Sequence, residues 1–96
     1  MNIPDLIELL PNFPNPFNPE TKIKYSVPES GYVKLSIYKI DGQLVRNLYT
    51  GGQLAGNYEV IWDGRNEYGN KVSSGVYFYR LQSNNFSQVR KMILLK

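Results

Sequence analysis

The chain is written in short stretches that alternate apolar and polar residues with a period of two, and this rhythm commits it to strands. In residues 21–27, Lys22, Lys24 and Ser26 alternate with Ile23, Tyr25 and Val27, as in a strand with one wet and one buried face. Pro28-Glu29-Ser30-Gly31 then turns the chain. Residues 32–40 repeat the pattern, with Val33, Leu35 and Ile37 facing one way and Lys34, Ser36 and Tyr38 the other. Asp41-Gly42 follows, a dipeptide that takes the positive φ angles of a tight hairpin turn. Residues 43–49 are mixed on both faces, which suits a short edge strand, and Gly51-Gly52 and Ala55-Gly56 bracket a loop.

Residues 57–63 place Tyr58, Val60 and Trp62 on one face. Residues 75–83 are apolar on both faces, Tyr77, Tyr79 and Leu81 opposite Val76 and Phe78, as in a central strand covered on both sides or capped by rings. Asn84-Asn85 makes the next turn, and residues 86–95 close the series. Residues 1–10 read equally as a short helix or a first strand. Six or seven short strands, turn signals roughly every 8–12 residues and no helical periodicity predict an all-β fold. The expected form is an immunoglobulin-like antiparallel β-sandwich of about seven short strands.

At 96 residues there is room for one domain; folding would bury roughly 60–65% of the surface of its extended chain. The chain has no Cys, so neither a disulfide framework nor a thiolate metal site is possible. It has no His either, which removes the commonest general base and the commonest zinc ligand. Eleven Lys and Arg against eight Asp and Glu give a net charge of +3, with the basic residues scattered singly except for Arg90-Lys91. Nucleic-acid binders gather such charges into a stripe, so a nucleic-acid partner is not expected. The apolar runs fall far short of a membrane span. Residues 1–10 lack the basic start, apolar stretch and cleavage site of a signal peptide. If the domain is exported, its export signal lies upstream in a longer protein.

Asp63, Asn66, Glu67 and Asn70 gather oxygen ligands in one loop, as a calcium site would. Their spacing departs from the EF-hand pattern, since Arg65, Glu67 and Tyr68 occupy the third, fifth and sixth positions. A hairpin loop using Gly69 for positive φ explains the same residues without metal. Trp62 is in phase with Tyr58 and Val60, which favours a core position over a carbohydrate platform. No pair among Asp41, Glu59, Asp63 and Glu67 has a spacing that forces two carboxylates into one cleft. Ser73-Ser74-Gly75 lacks a nucleophile-elbow context and a His partner. No enzyme and no cofactor are expected.

Pro14, Pro16 and Pro19 fix φ and bias each preceding residue towards extended geometry, so residues 12–20 should be a stiff, non-helical lead-in. On these grounds residues 1–19 form a lead-in or linker to a parent protein, and residues 20–96 form the domain proper.

Four motifs stand in order: Pro14-Asn15-Pro16-Phe17-Asn18-Pro19, then Leu35 to Val45, then Trp62-Asp63-Gly64 to Ser74-Gly75, then Arg90-Lys91-Met92-Ile93-Leu94-Leu95-Lys96. In this order they resemble the C-terminal sorting domain (type A) of type IX secretion cargo. That domain is related to the immunoglobulin-like module of the flagellar hook-capping protein. The resemblance implies a non-catalytic address at the end of a larger exported protein of a Gram-negative bacterium. The cargo would travel through the periplasm and outer membrane to release or surface attachment. Its partners would be the outer-membrane translocon, a sortase-like peptidase and the upstream cargo domain to which it is joined.

By the same likeness Phe17 would tuck against the sandwich, and Arg90, Lys91, Ile93, Leu95 and Lys96 would serve recognition, with Gly75 and Tyr77 holding the adjoining strand. If the last strand lies at an edge, a receptor can add to it by strand pairing. Arg90, Lys91 and Lys96 would then discourage self-association. The alternative is a structural, adhesion or carbohydrate-binding module of an extracellular protein. The hook-capping module shares the Trp62–Gly75 hairpin and scaffolds assembly.

Overall fold

Residues 3–96 are described by a computed structural model. Seven strands follow one another: β1 (Glu8–Leu9), β2 (Thr21–Val27), β3 (Gly31–Lys39), β4 (Leu44–Gln53), β5 (Gly56–Trp62), β6 (Gly75–Ser83) and β7 (Phe86–Leu94). They pair antiparallel in two sheets, a three-stranded one ordered β1-β2-β5 and a four-stranded one ordered β4-β3-β6-β7. The expected immunoglobulin-like sandwich is what forms.

The inward phases read from the alternation meet between the sheets. Ile23, Tyr25 and Val27 of β2 face Val33, Leu35 and Ile37 of β3, Tyr77, Tyr79 and Leu81 of β6, and Met92 and Leu94 of β7, all nearly or fully buried. Each such side chain contributes on the order of 1.5–3 kcal/mol on leaving water, set against the entropy of ordering it. Trp62 lies at the bottom of this core with no exposed surface. Phe17 packs on it at 5.7 Å between ring centres, and Tyr77 meets it edge-on at 5.4 Å. The indole N–H donates to the Arg65 carbonyl at 2.9 Å, so the buried ring keeps its polar atom satisfied.

Two elements differ from the sequence expectation. β6 is central, between β3 and β7, but only its inner face is fully covered; Val76, Phe78, Arg80 and Gln82 on the other face are half-buried. β4 is an edge strand, yet it is long, and Gly51 and Gly52 lie within it, paired with Val33 and Tyr32. The loop shrinks to Leu54 and Ala55. The Tyr49 ring lies over Gly51, in the space its missing side chain leaves, and its hydroxyl donates to the Gly52 carbonyl at 2.6 Å. Of the two readings for the first ten residues, the strand is observed at Glu8 and Leu9; Met1 and Asn2 lie outside the described residues.

The lead-in is laid across both sheets. Leu9 pairs with Tyr25, the Leu10 N–H donates to the Lys24 carbonyl, and Phe13 exchanges two backbone bonds with Lys22, all along the outer edge of β2. The chain then crosses to the other sheet. The Phe17 N–H donates to the Ile93 carbonyl and the Leu95 N–H to the Phe17 carbonyl, both at 3.0 Å, which makes a parallel bridge to the end of β7. On the way, the Tyr79 hydroxyl donates to the Leu10 carbonyl at 2.8 Å, and the buried Asn12 amide donates to Thr21 Oγ1 at 3.0 Å.

Phe17→Ala should lower unfolding stability by about 3–4 kcal/mol in urea titrations, because it empties a site against Trp62. Phe13→Ala, four residues earlier and 79% exposed, should change it by less than about 0.5 kcal/mol. The buried tyrosines set an alkaline limit. Burial pushes the Tyr25 hydroxyl up to about 12, against the opposing hydrogen bond to Gln53. Tyr77 and Tyr79 are also raised by burial, Tyr79 against the pull of the Asn12 backbone and Arg90. The folded state therefore holds these protons more tightly than the unfolded chain. Stability should be intact below about pH 10 and fall as the pH rises towards 12, and Tyr25→Phe should flatten that fall in denaturation midpoints.

Candidate functional site

Strand β7 and the segments that meet its end form the candidate recognition surface. Its ladder to β6 runs from Ser83↔Phe86 to Gly75↔Leu94. Even-numbered residues point inward, with Met92 and Leu94 buried, while Ser87, Val89, Lys91 and Leu95 point out and are exposed. Among the described residues β7 has no strand partner on its other side, so it is an edge of the four-stranded sheet.

The lead-in covers part of that edge. The Ile93 carbonyl accepts from the Phe17 N–H, and the Ile93 N–H donates to Asn15 Oδ1 at 3.0 Å. Since backbone groups alternate direction along a strand, those of Ser87, Val89 and Lys91 face the same way as those of Ile93. They lie beyond the reach of the clasp made by Asn15 and Phe17.

The residues singled out by resemblance fall into two groups. Gly75, Tyr77 and Arg90 are built into the packing. Gly75 opens β6 opposite Leu94 with φ +153, a conformation that side chains rarely adopt. Tyr77 is buried against Trp62 and its hydroxyl donates to the Ser73 carbonyl at 2.7 Å. Arg90 is half-buried, and its Nε donates to the Leu9 carbonyl at 2.6 Å, tying β7 to β1. Lys91, Ile93, Leu95 and Lys96 present outward, Ile93 half-covered and the others exposed. The Lys96 N–H donates to Ser74 Oγ at 3.0 Å.

Two contacts were not legible in the sequence. Asn15 caps the Ile93 N–H, and Gln88 Oε1 accepts from the Leu9 N–H at 3.2 Å. Asn15 at least sits inside the proline motif; Gln88 carries no signal at all.

The oxygen atoms of the 63–74 loop hold the loop itself. Asp63 Oδ1 accepts from Arg46 at 2.9 Å and from the Arg65 N–H at 3.1 Å. Asn66 Oδ1 accepts from the N–H groups of Tyr68 and Asn70, and Glu67 accepts from the Asn47 N–H on the edge of β4. Gly69, at φ +82, closes the turn. Gly64, at φ +75, lies so close to the lead-in that an added Cβ would stand 3.1 Å from the Pro19 carbonyl oxygen. A hollow of about 220 Å³ remains where Pro19, Gly64, Lys71, Leu94 and Lys96 meet.

The sequence profile of the FlgD Ig-like domain matches residues 18–86. No curated protein matches the sequence. Among solved structures, dimeric latent PorU from Porphyromonas gingivalis is similar at a TM-score of 0.75 and 25% identity, over 96% of this chain and 9% of that one. PorZ from the same organism, a surface component of its type IX secretion system, is similar at 0.57 and 20% identity, over 96% of this chain and 12% of that one. FlgD from Xanthomonas campestris, a flagellar hook-capping protein, is similar at 0.61 and 20% identity, over 95% of this chain and 63% of that one. At 20% identity the latter two attest the fold alone. The chain spans only a small part of PorU and PorZ, and less than two thirds of the hook-capping protein.

Arg90→Ala should cost about 1–2 kcal/mol of unfolding stability, because it leaves the Leu9 carbonyl without its charged donor. Lys91→Ala, one residue on and facing water, should stay within about 0.5 kcal/mol by the same titration.

Proposed function

The chain belongs to the FlgD Ig-like domain family, and from that premise we propose that it is a non-catalytic sorting domain, directing a larger exported protein through a type IX secretion system to release or surface attachment. The family is one of structural immunoglobulin-like modules, and an address needs a stable fold with an accessible edge more than it needs a cleft. The observation that carries the reading is the likeness to PorU, whose coverage takes in the lead-in as well as the sandwich. The family match begins only at residue 18 and ends at 86. The clasp between Phe17 and the end of β7 thus joins the two stretches that flank it.

In this reading the translocon recognises the outward side of the β7 edge, a sortase-like peptidase acts on the domain afterwards, and the protein reaches the cell surface by way of the periplasm and outer membrane. Lys91, Ile93, Leu95 and Lys96 are the residues offered to the translocon; Gly75, Tyr77 and Arg90 hold the strand that offers them. A second reading, a scaffold in an extracellular assembly, is favoured by the family match itself, since the hook-capping protein uses the same fold.

The two readings part in an export assay. A fluorescent passenger placed ahead of residues 1–96 should be secreted by a host with a working type IX system. The same fusion carrying Ile93→Pro should remain in the periplasm while still folded, its thermal melt lowered by loss of the Ile93 N–H bond to Asn15 Oδ1 but the β6 ladder kept. Periplasmic retention of the unaltered, folded fusion would leave the scaffold reading in place of the sorting one.

A further inference from the structure

The two sheets divide the charge unequally. In the three-stranded sheet, Lys22 and Lys24 flank Glu59 at 3.5 and 4.0 Å, so cations and carboxylate offset each other. The four strands of the other sheet contain no Asp or Glu at all, and they carry Lys34, Lys39, Arg46, Arg80, Arg90 and Lys91. Arg46 is paired with Asp63, and Arg90 is held by Leu9. Register places Lys34, Arg80 and Lys91 on the outer face, where no ion pair among the described residues involves them. Asp41, in the turn after β3, spends its Oδ1 on the Gln43 N–H.

That face is ordered in rows across the sheet. Leu44, Tyr38, Phe78 and Lys91 stand side by side in one row, and Asn47, Ser36, Arg80 and Val89 in the next. Val76 and Ile93 extend the apolar end. Phe78, Tyr38, Val76 and Ile93 are half-buried, Val89 is 53% exposed, and the Arg80 Nε is aimed across the strand by its bond to Ser87 Oγ at 2.8 Å. Half-buried rings thus alternate with half-buried Lys34 and Arg80 and exposed Lys91, and the β7 edge with its outward backbone at Ser87, Val89 and Lys91 borders them.

We infer that this face and edge together dock an extended, acidic strand of a protein partner, which pairs with residues 87–91 and sets carboxylates beside Arg80 and Lys91. The stretch beyond the clasp is five residues long, about 17 Å of strand, so the partner's paired segment is correspondingly short. Backbone pairing supplies affinity, and the one-signed face supplies orientation and rejects basic strands. A nucleic acid or an anionic membrane would also be drawn to the cations. Neither offers the alternating N–H and C=O groups that the edge accepts, and three cations are few for a phosphate polymer. The inference deepens the reading of the β7 edge as a recognition surface and rests on it, and peptide binding is read apart from export, so either can fail alone.

The test is a titration of the isotope-labelled chain with an alternating Glu-Val peptide of about six residues, blocked at both ends, beside its Lys-Val counterpart. Amide shifts should move along residues 87–91 and at Arg80 with the acidic peptide only, and raising the salt severalfold should weaken binding. Arg80→Gln with Lys91→Gln should weaken it about tenfold, and Lys91→Gln alone, at an exposed side chain, should give part of that loss if the double variant melts early. The inference is overturned by equal binding of the Lys-Val peptide, by shifts that map elsewhere, or by no binding at millimolar peptide. Tighter binding of oligothymidylate or phosphatidylglycerol vesicles than of the acidic peptide would also overturn it.

Discussion

The contact on which the rest of the structure depends is the seating of Phe17 against Trp62 under the last turn of β7. A two-sheet sandwich of this size has few residues with which to close its ends, and here one aromatic pair closes one of them. Phe17 brings its own backbone with it. The same residue that fills the space beside the indole also donates to Ile93 and accepts from Leu95. Side-chain burial and backbone pairing therefore form or fail together, and the strand that ends the fold is fixed by the segment that begins it. The Tyr79 hydroxyl on the Leu10 carbonyl and the Arg90 guanidinium on the Leu9 carbonyl extend that fastening along the lead-in. Polar side chains from one sheet thus satisfy the Leu9 and Leu10 carbonyls laid on the other, while the buried Asn12 Oδ1 nearby has no partner among the described residues.

The clasp also settles how much of the β7 edge is offered to a partner. An uncovered edge strand of nine residues would be a standing invitation to self-pairing. Asn15 and Phe17 take its far end, and Arg90 is drawn inward, leaving an interval marked by an exposed lysine. Lys91 at that point serves the same end as the lead-in, since like charges oppose the approach of a second copy while an acidic strand meets no such barrier. Sheet topology, edge covering and charge thereby act on one short stretch of backbone.

Most of the sandwich was legible because it obeys one rule. Where Ile23-Tyr25-Val27 or Val33-Leu35-Ile37 alternates with polar residues, the period of two fixes both the strand and its buried face. Gly51-Gly52 was misread because glycine marks a turn only when nothing else replaces its missing side chain, and Tyr49 does so here from within the same strand. β1 is two residues long, too short for any periodicity to register. At the candidate site, the motifs marked the end of β7, yet they did not separate Arg90 from Lys91. That difference arises from a bond between residues 81 positions apart, Arg90 to Leu9. The Asn15 cap on Ile93, across 78 positions, is equally invisible to local pattern.

A single strand that both completes a core and forms a sheet edge has to divide its residues by parity. On β7 the inward set, Met92 and Leu94, is tied to Tyr77, Trp62 and Phe17, where a lost methylene is felt throughout the packing. The outward set, Val89, Lys91 and Leu95, touches little of the domain's own interior, so its chemistry can vary with the partner at small cost in stability. Arg90 is the informative exception. It occupies an inward position with a charged group, made tolerable because its stem lies along the seam and its head finds the Leu9 carbonyl. A basic pair in the sequence is therefore two unlike residues in the fold, one a fastener and the other exposed to solvent. Alternation along the strand, not the charge they share, is what separates them.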